Sequence, residues 1–463
     1  MAGGKRKMFV IGLDGAPPEL IFEKYRTELP HIQQLMQNGV WGKLQSCHPP
    51  ITVPAWSAMM ASQDPGQLGC YGFRNRHDHS YAPMRLTTSH AVRVPRVWDV
   101  LSQAGKQVVV IGVPQTYPAN PVNGVMVSCF LTPSPQNSYT YPDSIRCEIA
   151  AAAGEYMPDV KNFRTLDKAG LLEQIYEMTA KRFQVVRHFL REKPWDFFMF
   201  VEMGTDRLQH GFWKFADPAH SQYEAGGRFE NVLRDYYRYV DGEIGTVLNL
   251  LDDDTIVMLL SDHGAKKMEG GVCLNEWLLA NGYLALKTSP NEITPLPPGE
   301  IDWEKTIAWA DGGYYGRLFL NVKNREPRGI VELDDYDNCL NDLAAQIAAI
   351  PDHRGQPMST KVLAPAQLYR QCNGVPPDLL IYFDDLNWRS VGSIGSGVLH
   401  TFDNDTGPDH ANHSPEGIFV MYDPRNPARD PIEQNLCLFD IAPTMLGKLG
   451  VEIPSWMIGC VIA

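Results

Sequence analysis

The chain is short of positive charge. Its 41 Lys and Arg residues face 54 Asp and Glu, a formal charge of −13 over 463 residues. That imbalance excludes a broad electrostatic grip on a nucleic-acid duplex, which needs clustered cations against phosphate. Long apolar runs are missing too. None approaches the roughly 20 residues that a membrane-spanning helix requires, so the chain reads as soluble. The N-terminal MAGGKRKMFVIGLDGAP is basic and then apolar. Its apolar run passes within a few residues into Asp14, which fits a first strand better than a signal peptide. Paired cysteine spacings are also absent. The nine cysteines are scattered, odd in number and never in C-x-x-C, a pattern of reduced thiols that points to the cytoplasm. No internal repeat or low-complexity tract interrupts the chain.

What is present is material for a large core, with 44% hydrophobic and 10% aromatic residues. Apolar runs of strand length occur at 8–13, 107–113, 197–202, 255–260, 379–383 and 418–422. They are continuous rather than alternating, as central strands covered on both faces should be. Helical spacing fills 170–193 and 229–251 between them. This rhythm predicts an α/β fold, a doubly wound and mostly parallel sheet with helices on both faces. Two regions depart from it. Residues 132–165, rich in Pro, Ser and Tyr, read as a surface excursion. Residues 284–377, with an apolar run at 316–322 and a helix at 336–350, read as an inserted cap between core segments 1–283 and 378–463. The aromatics Trp309, Tyr314 and Tyr315 either line a pocket or pack that cap, and packing is the favoured expectation.

Three strands end on groups that can do chemistry: Asp14 in VIGLDGAP, Asp206 and His210 in VEMGTDRLQH, and Asp262 and His263 in LLSDHG. Open α/β sheets bind ligands beyond the carboxyl ends of their strands, so the fold would deliver all of these to one edge. Singly, each is an ordinary N-cap or turn residue; their joint placement is what carries meaning. Asp206 and His210 are four residues apart and share a helix face. Thr52, between prolines in PPITVPAW, sits in a stiff turn that can open a helix near Trp56 and help bind an anion. A threonine hydroxyl is a poor nucleophile unless a base or a metal activates it. In DHANHSPEGIF, spacing alone leaves open whether His410 or His413 joins the set. Together these residues imply two divalent metals flanking a hydroxyl nucleophile, and hence phosphoryl transfer. Two such cations would also attract a phosphate ester to an acidic chain.

In order and spacing the set resembles the alkaline phosphatase superfamily, in its type I phosphodiesterase/nucleotide pyrophosphatase branch. The likeness extends to FDIAPTMLGKLGVEIP near the C-terminus and covers the core. It implies that Thr52 is the nucleophile and that one metal is held by Asp14, Asp262 and His263 and contacts Thr52. It implies a second metal on Asp206, His210 and His413. Zinc is the expected ion and manganese the alternative. It further implies a phospho-threonine intermediate and a small-molecule phosphodiester or pyrophosphate substrate. Oligomeric state is not addressed. Two positions depart from the family pattern, because asparagines expected there are Ala55 and Phe73. Arg74 or Asn75 is expected to take over contact with the phosphoryl group. An arginine would tilt preference toward monoesters, and phosphonate hydrolysis or phosphoryl transfer to another alcohol would use the same site. Sulfatase chemistry is not expected, since the C-x-P-x-R signature is missing: Cys47 is followed by His48, Pro49, Pro50 and Ile51.

Overall fold

Nine strands build one sheet in the order Leu436–Cys437, Val40–Gln45, Glu416–Tyr422, Ile256–Leu260, Met8–Leu13, Phe197–Glu202, Val108–Ile111, Gly124–Val127 and Thr140–Tyr141. The computed structural model describes residues 6–428 and 436–462. The five strands from Ile256–Leu260 to Gly124–Val127 run parallel. Glu416–Tyr422 joins antiparallel to both its neighbours.

Side-chain alternation along the middle strand divides the core in two. Phe9, Ile11 and Leu13 face one side with Phe198, Phe200 and the helices Lys168–Glu192 and Val232–Leu248. Met8 and Val10 face the other, against the helices Thr52–Ala61 and Ile441–Lys448. Every residue of Met8–Leu13 and Phe197–Glu202 is buried, so neither strand shows the polar alternation of a half-exposed one.

A second, smaller lobe has its own antiparallel sheet, ordered Ala308–Asp311, Gly316–Leu320, Leu379–Tyr382, Lys361–Leu363. The run at 379–383, expected in the main sheet, is therefore a strand of this lobe. The lobe's apolar cluster draws on both sides of 284–377, from Val272 and Leu278 to Phe383 and Trp388, and is closed by Leu343 and Ile347 of the helix Tyr336–Ala348. The expected surface excursion 132–165 instead contributes the edge strand Thr140–Tyr141 and the helix Ile145–Ala153. The helix expected over 229–251 is shorter, Val232–Leu248. No helix among the described residues is long and apolar enough to cross a membrane.

One glycine in the central strand is required by packing. A Cβ on Gly12 would lie 2.6 Å from the Trp56 ring and 2.8 Å from Val201 Cγ2. The bare backbone lets the indole lie against the strand. Gly12→Ala is expected to destabilise the fold by about 1–3 kcal/mol through overpacking, read as a lower urea midpoint; an unchanged midpoint would mean the indole gives way freely.

Candidate active site

Adjacent parallel strands place the carboxylates along one edge of the sheet. Asp14 follows Met8–Leu13, and Gly15 at φ 68° turns the chain away. Asp262 and His263 follow Ile256–Leu260, and Asp206 sits in the first turn of the helix Gly204–Ala216. His413 arrives from the other end of the chain on the strand Ala411–Ser414. That strand pairs antiparallel with Gly264–Lys267, setting His413 opposite Ala265. Thr52 is the first residue of the helix Thr52–Ala61, after an extended Ile51 (φ −137°, ψ 143°). Pro54 fits this first turn because N–H groups there have no helical acceptor to lose.

The side chains form two buried groups, Asp14, Asp262 and His263, and Asp206, His210 and His413. Within each, the possible donor atoms lie within 4.8 Å of one another. In the first, His263 Nε2 is 3.2 Å from Asp262 Oδ2 and 3.8 Å from Asp14 Oδ1. In the second, His210 Nε2 is 3.3 Å from Asp206 Oδ1 and 3.2 Å from His413 Nε2. The His263 and His413 rings stack across the two groups, with centroids 4.0 Å apart. Thr52 Oγ1 belongs with the first group, 3.4 Å from Asp14 Oδ1 and 3.3 Å from His263 Nε2.

Each imidazole is held by its outer nitrogen. Nδ1 of His263 lies 2.9 Å from the Gly264 carbonyl, Nδ1 of His413 lies 3.0 Å from the Pro50 carbonyl, and Nδ1 of His210 lies 2.8 Å from Asp409 Oδ1. Those acceptors assign a proton to Nδ1, which for His263 and His413 leaves the Nε2 lone pair directed at the carboxylates, the usual orientation of metal-ligating histidines. Burial opposes charge on His210 too, but Asp409 and Asp206 raise its pKa to about 9, so its Nε2 also carries a proton that a cation would have to displace. His410 is not among them; the choice that spacing leaves open falls geometrically on His413.

Electrostatics point the same way. Burial, and then the nearby carboxylates, push Asp14 and Asp262 well above the ordinary carboxylate range. Two buried acids this close cannot both ionise unless a cation joins them. Asp262 Oδ2 has no hydrogen-bond partner among the described residues. Burial opposes the charge on Asp206 as well, but His210 and Arg207 overcome it and hold that carboxyl far below its usual range. Burial depresses His263 to about 4 and, with the neighbouring imidazoles, takes His413 well below its normal value. Both are therefore neutral at pH 7, the form that coordinates a metal. On the chemistry of its donors, each group fits a divalent cation.

Several supporting residues escape sequence reasoning. Trp56 Nε1 donates to Asp14 Oδ2 at 2.7 Å, and Arg207 Nη1 to Asp206 Oδ2 at 2.6 Å. Asp409 orients His210 and also accepts from Arg164 Nε and the Tyr314 hydroxyl, each at 2.9 Å. Tyr314, expected to pack the cap, stacks on the rings of both His210 and His413. Trp309 does pack within the lobe, beside Trp303 and Phe319. Arg74 is exposed on the short strand Arg74–Asn75. Asn75 bonds within its hairpin, accepting from Tyr71 N–H at 3.0 Å and donating to Thr87 Oγ1 at 2.7 Å. Trp56→Phe keeps the ring packing but deletes the donor to Asp14. Metal affinity or activity is expected to fall 10–100-fold, checked by metal titration alongside steady-state kinetics.

A profile of the family described as type I phosphodiesterase/nucleotide pyrophosphatase matches residues 8–415. The chain belongs to that family. As a type I phosphodiesterase/nucleotide pyrophosphatase it is an enzyme of the alkaline phosphatase superfamily, in a metal-dependent class that cleaves phosphodiester bonds. Solved structures share its fold. Human ectonucleotide pyrophosphatase/phosphodiesterase 5 superposes with a TM-score of 0.57 at 12% identity, covering 97% of this chain and 96% of that one. The murine protein gives 0.55 at 13% identity, with the same coverage. An inactive threonine-to-alanine variant of the murine protein, in complex with AMP, gives 0.57 at 12% identity and the same coverage. A search of curated protein sequences finds no match.

Proposed function

We propose that this member of the family hydrolyses a phosphodiester or pyrophosphate bond in a small molecule, with Thr52 as the covalent nucleophile. The observation that carries this reading is the position of Thr52 Oγ1, at the opening of a helix and within 3.4 Å of Asp14 Oδ1 and 3.3 Å of His263 Nε2. Asp14, Asp262 and His263 would hold one divalent cation, and Asp206, His210 and His413 the other. Imidazole and carboxylate donors favour zinc, with manganese the alternative. When bound, such cations neutralise charge on phosphoryl oxygens and lower the pKa of an adjacent hydroxyl or water.

The protein's own contribution is positioning. The hydroxyl of Thr52 donates to Asp14 Oδ1 at 3.4 Å, which fixes its oxygen at the opening of the helix. First-turn N–H groups of Thr52–Ala61 lack helical partners, and with the helix dipole they favour an anion at this point. Attack forms the bond from Thr52 Oγ to phosphorus and breaks the bond from phosphorus to the leaving oxygen. Water then cleaves the Thr52 ester, restoring the hydroxyl and releasing the phosphoryl product. The inactivity of the murine threonine variant, and the AMP it holds, support both the nucleophile and a nucleotide-type substrate. Of the nine free cysteines, Cys47, Cys70, Cys129 and Cys273 are buried, which supports a reducing, cytoplasmic setting.

The test is steady-state hydrolysis by zinc- and manganese-loaded protein of p-nitrophenyl phosphate, bis-p-nitrophenyl phosphate, p-nitrophenyl thymidine monophosphate and phosphonoacetate. The expected result is a preference for the two diesters. Preference for the monoester or the phosphonate would overturn the assignment of substrate class.

A further inference from the structure

A cavity of about 260 Å³ adjoins the catalytic groups through Asp409, which lines it and orients His210. Neither Thr52 nor any of the six candidate metal ligands lines this cavity. Its walls carry His220, His410, Arg389, Lys214 and Glu269, with Phe402 exposed at the mouth. His220 Nε2, His410 Nε2 and Arg389 Nε are buried there without a hydrogen-bond partner among the described residues. Lys168 does not line the cavity; its ammonium lies over the Phe212 ring, and its charge is felt at His410. These four residues are only 6, 7, 5 and 8% exposed for His220, His410, Arg389 and Lys168 respectively. Buried polar groups are almost always paired, so three unpaired nitrogens on residues lining one cavity call for a ligand.

The chemistry of the nitrogens says which ligand. The N–H of Gln222 donates to His220 Nδ1 at 3.0 Å. In the neutral ring the proton therefore sits on Nε2, which makes that atom a donor rather than a metal ligand. Arg389 Nε is always a donor; the other two guanidinium nitrogens reach Asp405 at 3.1 Å and Thr406 Oγ1 at 3.4 Å. Of the three carboxylates in the wall, Asp403 is exposed to solvent and the other two are engaged. Asp409 is held by His210, Arg164 and Tyr314, and Glu269 pairs with Lys267. Among the buried groups of the wall, the unused bonding capacity at His220 and Arg389 is thus donating. We propose that it is a second oxyanion site, taking a phosphate-sized group through His220 Nε2, Arg389 Nε and the Lys214 ammonium. The oxyanion is either free in solution or the distal anionic group of a substrate. Arg389 also lines a larger cavity of about 580 Å³ with Arg74, Arg164 and Trp309, so a substrate lying there has a route to the same donor.

Crystals of the metal-loaded protein soaked in arsenate test this directly. The expected result is an anomalous peak beside His220 and Arg389, separate from any peak at Thr52, and lost in His220→Phe. Lys214→Met, a change at a partly exposed side chain, should reduce that peak and serves if His220→Phe does not fold. A wild-type cavity with no anomalous peak would overturn the proposal, whether or not the Thr52 site is occupied. A peak undiminished in both variants would overturn it too. Kinetics then separate the sources. If the site holds a substrate group, His220→Phe raises KM about tenfold for a diester carrying a second anionic group and leaves bis-p-nitrophenyl phosphate unchanged. If the anion is free, both KM values stay as in the wild type.

Discussion

Thr52→Ala is expected to lower kcat/KM for bis-p-nitrophenyl phosphate by about 10⁴-fold or more, the scale on which loss of a covalent nucleophile is felt. The substitution removes Oγ1, the atom that lies 3.4 Å from Asp14 Oδ1 and 3.3 Å from His263 Nε2. It leaves all six acidic and imidazole donors in place, so metal content should not change. Alanine is also a good helix former, and the helix Thr52–Ala61 is held by the burial of all ten of its residues. Stability should therefore stay within about 1 kcal/mol. Thr52→Ser keeps the oxygen and should recover most of the lost rate. Kinetics, elemental analysis and a thermal melt on the same preparations check all three statements. Full activity in the alanine variant would place the nucleophile elsewhere.

Asp262→Asn should move stability and activity in opposite directions. In the metal-free protein, Asp14 and Asp262 are two buried carboxyls with raised pKa values, Asp14 by burial and the charge of Asp206, Asp262 by burial and the charge of Asp14. Raised acids bind protons more tightly in the folded chain than in the unfolded one. Stability of the metal-free wild type therefore falls as pH rises from the ordinary carboxylate range through the raised values. The isosteric amide removes one of the two charges, so the metal-free variant should melt higher at pH 7 and show a weaker pH dependence. With metal, the order reverses. A wild-type donor becomes a neutral amide, and the stabilisation that ligand binding gives the folded state is lost. Turnover should drop by more than the 10–100-fold typical of outer-shell changes, about 10³-fold. Paired melts with and without zinc decide the matter; a metal-free variant no more stable than the wild type would show that the two carboxyls do not repel.

The parts of this site that sequence makes legible are those written into continuous local runs. Asp14, Asp206 and Asp262 each follow a buried parallel strand, and a strand covered on both faces is an unbroken apolar stretch that needs no tertiary knowledge to find. The same property explains the misplaced run at 379–383. A buried strand of the second lobe looks like a buried strand of the main sheet, and nothing in period or composition says which neighbour it pairs with. The strands Thr140–Tyr141 and Leu436–Cys437 have two residues each, too few for any periodicity. Supporting contacts are hidden for a different reason. Trp56 and Asp14 are 42 positions apart, and His210 and Asp409 are 199 apart. Such pairs exist only once the chain is folded. The exception is PPITVPAW, where proline stiffness marks the turn that presents Thr52 from local information alone.

The short ribbon made by Gly264–Lys267 and Ala411–Ser414 has an implication for assembly. Asp262 and His263 lead directly into one of its strands and His413 stands on the other, so the two groups share a single piece of backbone. Ordering His263 against Asp14 fixes the ribbon, and the ribbon in turn sets His413 against Asp206 and His210, with the stacked rings coupling the two sides. Were cations to fill the two groups, binding in one half would meet part of the ordering cost of the other. The two halves should load as one cooperative event, and a half-filled centre should be a scarce species in solution.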